Sequence, residues 1–136
     1  MATRSEIIIK DYGTYEGQRY SFKLKLYHHH DGYPEGVGNF LITKVLPKLQ
    51  QSNGHDCNSI ANFLIKDKES IDDEFEITVY THIDIQYKYI IDIPKKEILC
   101  YEGNYKKTPQ GYKFKKDRKI DLIKLLTPIQ SKELYR

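Results

Sequence analysis

The 136-residue sequence predicts an α+β fold: a mainly antiparallel sheet of five to six strands with helices packed on one face. Strand-like alternation occurs near both ends of the chain, and two segments of helical periodicity lie between them. Short runs of turn residues join the strand-like segments, which favours antiparallel pairing. The expected order is ββααβββ followed by a short helix, within a single domain over 1–136.

Two strands are predicted at the start of the chain, over residues 5–12 and 19–28, with turn residues at 13–18. The second has the period of two that is typical of a half-buried antiparallel strand. The side chains expected on its buried face are Tyr20, Phe22, Leu24 and Leu26. Because the intervening turn is short, the two strands are expected to form a hairpin.

The central part of the chain is predicted to hold two helices. Apolar residues recur at helical spacing over 37–49, and Pro47 is expected to kink this helix or loosen its last turn. Asp56 stands where an N-cap would start a second helix over 57–67. The acidic run that follows, 67–76, is predicted to be a loop.

Strands return in the second half of the chain. Alternation continues over 74–93, which is longer than a typical strand, so a bend is expected near 82–86. A further strand is predicted at 95–103, and the basic segment 105–119 is predicted to be a loop or a short last hairpin. A helix or tail over 120–136, stopped by Pro128, ends the chain. The residues expected to share a face are Phe75, Ile77 and Val79, and then Tyr87, Tyr89, Ile91 and Ile93.

Composition argues against several classes of protein. Neither Cys57 nor Cys100 belongs to a CxxC pair, which argues against a zinc knuckle, and both are expected to be buried thiols. No apolar run approaches the roughly 18 residues of a membrane span. The first twelve residues have no stretch long enough for a signal peptide. A soluble cytoplasmic protein, with no membrane partner and no cofactor, is therefore expected.

Charge is distributed unevenly along the chain, although the net charge is only +3. Segment 67–76 holds six acids and one base, whereas 105–119 holds seven bases and one acid. Aromatic residues alternate with the lysines of the basic segment, and stacking combined with phosphate contacts is how single-stranded nucleic acid is bound. Lys113 and Lys115 are therefore candidate contacts, and solvated loop lysines are the alternative interpretation.

The stretch YHHHDGYPEGVG, residues 27–38, allows two interpretations. Histidine and aspartate are metal ligands, and a metal-dependent or nucleic-acid-dependent enzyme would use His28, His30, Asp31 and His82. The alternative is a tight bend between a strand and a helix, because Asp-Gly and Tyr-Pro favour turns. Gly36 and Gly38 would weaken a helix, so they indicate close approach of another backbone or of a ligand. The bend is the preferred interpretation.

The same stretch carries a resemblance. HHDGYPEGVGNFL after a strand, with IDIQYKYIIDI about fifty residues later, resembles an uncharacterised family of small phage and prophage proteins. The family motif His-x-Asp-Gly-Tyr-Pro-x-Gly corresponds to His29, Asp31, Gly32, Tyr33, Pro34 and Gly36, and its later Tyr-x-Tyr to Tyr87 and Tyr89. The similarity covers about the first 95 residues. It implies a viral or mobile-element origin and no particular reaction.

A non-enzymatic binding protein is the preferred functional hypothesis, acting in the host cytoplasm on a protein partner such as a defence system. Tyr27, Tyr80, His82 and Lys88 are expected on the sheet face away from the helices, and tyrosine is favoured at interfaces. The remaining candidate binding residues are His28, His30, Asp31, Tyr33, Lys113 and Lys115. The open alternatives are an enzyme, a structural virion component, nucleic-acid contact through 105–119, and a homodimer.

Overall fold

The computed structural model describes residues 3–51, 56–66 and 75–126. They form a mixed α+β fold with one six-stranded sheet in the order β3-β2-β1-β4-β5-β6. Every neighbouring pair is antiparallel except β1 and β4, which are parallel. The strands are β1 (Ser5–Tyr15), β2 (Gln18–His28), β3 (Glu76–Ile77), β4 (Tyr87–Asp92), β5 (Glu97–Thr108) and β6 (Gly111–Ile120).

Two long hairpins supply four of the six strands. The first turns at Glu16 and Gly17, which both have positive φ, so β1 and β2 run further than the turn at 13–18 predicted. The second hairpin joins β5 to β6 and includes the segment 105–119, so the hairpin alternative is confirmed there and the loop alternative is wrong. Backbone pairing outweighs the charge of this segment because its alternating lysines can stay in water while Tyr105 and Phe114 pack.

The helical region between the hairpins begins with two π-helical turns, Pro34–Gly38 and Leu41–Val45. They lead into α1 (Leu46–Gln50), which has Pro47 in its first turn. The π-helical hydrogen bonding therefore lies in the turns before Pro47. Proline has no N–H to donate and its ring clashes with the preceding turn, so regular α-helical bonding is disturbed there. Helix α2 (Cys57–Lys66) follows, and the Asp56 carboxylate accepts the Ser59 N–H at 2.8 Å, which confirms the predicted N-cap.

The π-helical turns and helix α2 contribute to a single apolar core. Val37, Leu41 and Leu64 are fully buried in the same cluster as Ile9 of β1 and Tyr89 of β4. We call the face of the sheet that points into this cluster the core face. It carries the residues Ile7, Ile9, Leu26, Tyr89, Ile91 and Cys100. Leu24 and Leu26 lie on it as their alternation predicts. The opposite face, which includes Glu6, Lys25, Tyr27 and Lys88, is called the polar face.

The segment after α2 departs most from the prediction. Strand β3 is two residues long, and the chain then leaves the sheet until β4 begins. Phe75 is buried, whereas Ile77 and Val79 are exposed, so these three side chains are not packed together on one face. Alternation reports which side chains could share a face, but here only two residues pair with β2.

At the C-terminal side, residues 122–126 are helical, and Leu122 and Leu126 are buried. Ile123 and Leu125 of the same helical turn are exposed. Residues 67–74 of the predicted acidic loop, and the predicted end of the helix at Pro128, lie outside the described residues. Within 3–51, 56–66 and 75–126, the structure contains no helix with the length and hydropathy of a membrane span.

Candidate functional site

A buried carboxylate lies at the centre of the polar face. Glu6 of β1 pairs in register with Tyr27 of β2 on one side and with Lys88 of β4 on the other. Its side chain is only 2% exposed, although glutamate is almost never buried without partners. The Tyr105 hydroxyl donates to Glu6 Oε2 at 2.7 Å. Because Tyr105 belongs to β5, two strands away, the β5–β6 hairpin must curl back over the polar face.

Two lysines balance the Glu6 charge. Lys25 Nζ lies 3.5 Å from Oε1, and Lys88 Nζ lies 3.8 Å from Oε2. Lys88 also lies over the Phe114 ring, with Nζ 5.1 Å from the centroid. Burial lowers the pKa of Lys88, and the neighbouring Glu6 opposes that shift. The arrangement is an ion-pair network that holds β1, β2, β4 and the hairpin together.

The chain crosses the polar face between β3 and β4, and we call residues 78–86 the crossing segment. Its His82 ring stacks on Tyr27 with the centroids 3.9 Å apart and the planes 11° apart. His82 Nε2 forms a hydrogen bond of 3.0 Å with the Thr78 hydroxyl. Ile85 is buried, and Asp84 pairs with Arg4. The crossing segment is therefore fixed to the sheet from its first residues to its last.

Four large apolar side chains on this segment and at the adjoining end of β3 are exposed. Val79 is 86% exposed and Tyr80 is 74% exposed, and Ile77 and Ile83 are exposed as well. We call these four residues the apolar patch. Single exposed apolar residues are ordinary, but four large ones within seven positions indicate a contact surface. Lys25 Nζ donates to the Tyr80 carbonyl at 3.4 Å, which links the patch to the Glu6 network.

The three consecutive histidines, 28–30, do not form a site of their own. The His28 side chain is buried with its ring 4.6 Å from that of Phe75, and its Nδ1 hydrogen-bonds to the His30 carbonyl. His29 Nδ1 lies 2.8 Å from the Tyr27 hydroxyl, while His30 is exposed. In the described ranges, no three histidine, cysteine or acidic side chains are placed to hold a metal ion. The four residues of the metal interpretation are thus not brought together.

The bend itself is a set of backbone contacts. Asp31 has a φ of 53°, and its carbonyl accepts the Val37 N–H at 2.8 Å. A Cβ on Gly36 would lie 2.2 Å from that same carbonyl, so only glycine fits. The buried Tyr89 hydroxyl donates to the Gly32 carbonyl at 2.7 Å. These contacts seat the start of the helical region against the sheet.

The remaining predicted site residues are dispersed. The Tyr33 hydroxyl donates to Asp31 at 3.1 Å, and this hydrogen bond raises the pKa of Tyr33. Lys113 and Lys115 are exposed on β6, paired in register with Lys106 and Asn104. They lie on the side of the hairpin opposite Phe114, so they do not join the Glu6 network. Of the ten predicted residues, those grouped on the polar face are Tyr27, Tyr80, His82 and Lys88.

Sequence reasoning missed Glu6, Tyr105 and the apolar patch residues Val79 and Ile83. Glu6 stands in an otherwise apolar strand, SEIIIKDY, and its position opposite Tyr27 would have indicated the polar face. No local signal identifies Tyr105 as its partner, because the two residues are 99 positions apart. Comparison with protein-family models, with curated proteins and with solved structures finds no match for this chain.

Proposed function

We propose that this chain is a non-enzymatic binding protein of phage or mobile-element origin that engages a protein of the host cytoplasm, such as a defence component. The single observation that carries the binding role is the apolar patch: large apolar side chains exposed on a segment that is otherwise anchored. The origin and the kind of host partner rest on the sequence motif alone.

The patch suits binding because its backbone is already ordered. His82 stacked on Tyr27 and the buried Ile85 fix the segment before any partner arrives. Little conformational entropy is then lost on association, so more of the burial energy of Val79 and Tyr80 is available as affinity. Tyrosine at the centre of an apolar surface is a frequent energetic hot spot.

The test is capture from host lysate with two variants in parallel. Val79→Ser with Tyr80→Ser removes apolar area and should reduce the recovery of a specific host protein by at least about tenfold. The matched control is Tyr112→Ser with Ile123→Ser, which changes exposed apolar residues elsewhere and should leave recovery unchanged. Equal recovery with both double variants would exclude the apolar patch as the contact surface.

A second candidate function is nucleic-acid binding by the β5–β6 hairpin. Its seven cationic side chains between 105 and 119 are all exposed. Affinity for single-stranded DNA should then fall steeply with salt, and replacing Lys113 and Lys115 with alanine should reduce the slope by about one to two. A salt-independent affinity would exclude this role.

A further inference from the structure

Among the described residues, no strand pairs with the outer edge of β2 over most of its length. β3 pairs only with Leu26 and Tyr27, and Thr78 N–H adds one bond to the Lys25 carbonyl. In an antiparallel ladder, the backbone groups of alternate residues point to the same side. The backbone carbonyl of Lys25 points away from β1, toward Thr78. The backbone N–H and C=O groups of Arg19, Ser21 and Lys23 therefore also point away from β1. In the part of the chain that the structure describes, no strand pairs with them.

A cleft runs along the core-face side of this same edge. It has a volume of about 710 Å³ and is lined mainly by apolar atoms. Its walls come from Tyr20, Phe22 and Leu24 of β2, with Tyr15 of β1 and Cys57 at the start of α2. Phe22 is 62% exposed, so its ring is available to a side chain entering from the edge. An added strand would place every second side chain in this cleft.

The acids at the cleft are engaged with helix α2. Asp11 accepts the Cys57 N–H at 3.3 Å, and Asp56 caps the helix. The other side of the edge is basic, because Arg19 and Lys23 alternate with the apolar residues, and β2 contains no acid. Within the described residues, neither Arg19 nor Lys23 forms an ion pair. A strand placed there would therefore have apolar residues on one face and acids on the other.

A second copy of this chain fits less well. Antiparallel pairing of β2 with another β2 would place Arg19, Ser21 and Lys23 beside the same three residues of the copy. Like charges directly opposite one another are destabilising in a sheet. Charge complementarity thus favours a different segment over self-association.

We propose that the β2 edge, over Gln18–Leu24, binds an extended segment of a partner protein in which acidic and apolar residues alternate, by adding it to the sheet as a seventh strand. The backbone bonds would come from Arg19, Ser21 and Lys23, and the apolar side chains of the segment would enter the cleft beside Phe22. This inference rests on the proposed binding of a protein partner and names the chemistry of the bound segment.

The test uses an eight-residue peptide of alternating glutamate and valine with blocked ends, and a lysine–valine peptide of the same length as the control. Amide spectra of labelled protein should show saturable shifts along β2 and at Cys57 with the glutamate peptide. Exchange of the Ser21 and Lys23 amides should slow by at least about tenfold, because each gains a hydrogen bond. The lysine peptide should bind at least about tenfold more weakly.

Two variants distinguish backbone pairing from non-specific binding of the peptide. Ser21→Pro removes one outward N–H without touching the β1 ladder and should weaken the glutamate peptide about tenfold, while Ser21→Ala should not. Lys23→Glu keeps the backbone and should shift preference toward the lysine peptide, so the test survives if the proline variant fails to fold. Equal binding of both peptides, shifts away from β2, or a dimer of the free chain with β2 amides protected would overturn the proposal.

The outcome is separable from that of the proposed function. Val79 and Tyr80 lie outside the β2 edge, so their double variant should still bind the glutamate peptide. If neither peptide binds but that variant loses the host protein, the edge inference fails and the binding role stands. If the peptide binds but capture is unchanged, the apolar patch is the part that fails.

Discussion

The two free edges of the sheet are built differently. At the β6 edge, almost every side chain is exposed and the strand is strongly cationic. It also carries a β-bulge opposite Glu102 and Gly103. At the β2 edge, the basic residues Arg19 and Lys23 alternate with Tyr20, Phe22 and Leu24 beside an apolar cleft. The cationic side chains of β6 are Lys113, Lys115, Lys116, Arg118 and Lys119.

Natural proteins protect an exposed strand with charge and with bulges, because unpaired backbone groups invite pairing with other chains. β6 has both devices, whereas β2 has neither a bulge nor an uninterrupted run of charge. The sheet therefore has one edge, β6, that is protected against pairing and one edge, β2, that is accessible to it. An accessible edge beside an apolar cleft is the arrangement expected of a strand-binding surface.

The largest expected effect comes from adding a side chain at Gly103 of β5, opposite the bulge of the protected edge. A Cβ on Gly103 would lie 2.2 Å from the Lys115 carbonyl, so Gly103→Val must displace β6. We expect a loss of about 3 kcal/mol in the free energy of unfolding, measured with urea. Gly13→Ala is the matched control, because its Cβ meets only the Tyr20 side chain at 3.0 Å. Equal losses of stability in both variants would show that the close contact between Gly103 and β6 does not limit the size of the side chain.

A smaller loss is expected from the Glu6 network, which links β1, β2, β4 and the β5–β6 hairpin on the polar face. Glu6→Ala leaves Lys25 and Lys88 without their shared carboxylate, and we expect a loss of about 2 kcal/mol in the same urea experiment. Tyr105→Phe removes only the 2.7 Å hydrogen bond and should cost about 1 kcal/mol. A Glu6→Ala protein as stable as the parent would contradict the structural role of the network.

The third prediction tests whether charge protects β6. Replacing Lys113 and Lys115 with valine should produce self-association at concentrations where the parent is monomeric, as seen by sedimentation velocity. Replacing the exposed Lys44 and Lys95 with valine makes the same change in charge away from the edge and should leave the sedimentation unchanged. If both double variants associate alike, net charge and not edge position is responsible.

The smallest expected effect compares the cysteine in the cleft with the one in the core. Burial raises the pKa of Cys100 to about 12, from an ordinary value of 9.0. Folding therefore favours the neutral thiol, and this contribution is complete below pH 9 and is lost as the pH rises toward 12. Between pH 8 and pH 10, the parent should lose about 1 kcal/mol more stability than Cys100→Ala. Cys57→Ala, at the partly exposed cleft, should change the pH dependence less.

Much of the local structure could be predicted from the sequence. The alternation of Leu24 and Leu26 identified the core face of β2, and Asp56 identified the start of α2. These features depend on residues within one or two turns of each other, so a pattern contains the information. The interpretation of Asp31 to Gly36 as a tight bend also followed from local rules for turns.

Features that depend on distant residues could not be predicted. The parallel pairing of β1 with β4 and the burial of Glu6 require segments about 80 to 100 positions apart to meet. The exposure of Val79 has the same origin: the segment alternates like a strand but leaves the sheet to cross the polar face. The hairpin at 105–119 differs from these, because its pairing is local and the sequence offered it as the alternative to a loop.

The most direct test of the contrast between the two edges is residue-resolved hydrogen exchange of the free protein. In β2, the amides of Ser21 and Lys23 should exchange quickly, while those of Phe22 and Leu24, which point toward β1, should be protected by at least about a hundredfold. Uniform protection along residues 18–24 would show that the β2 edge is already paired and would contradict an accessible edge.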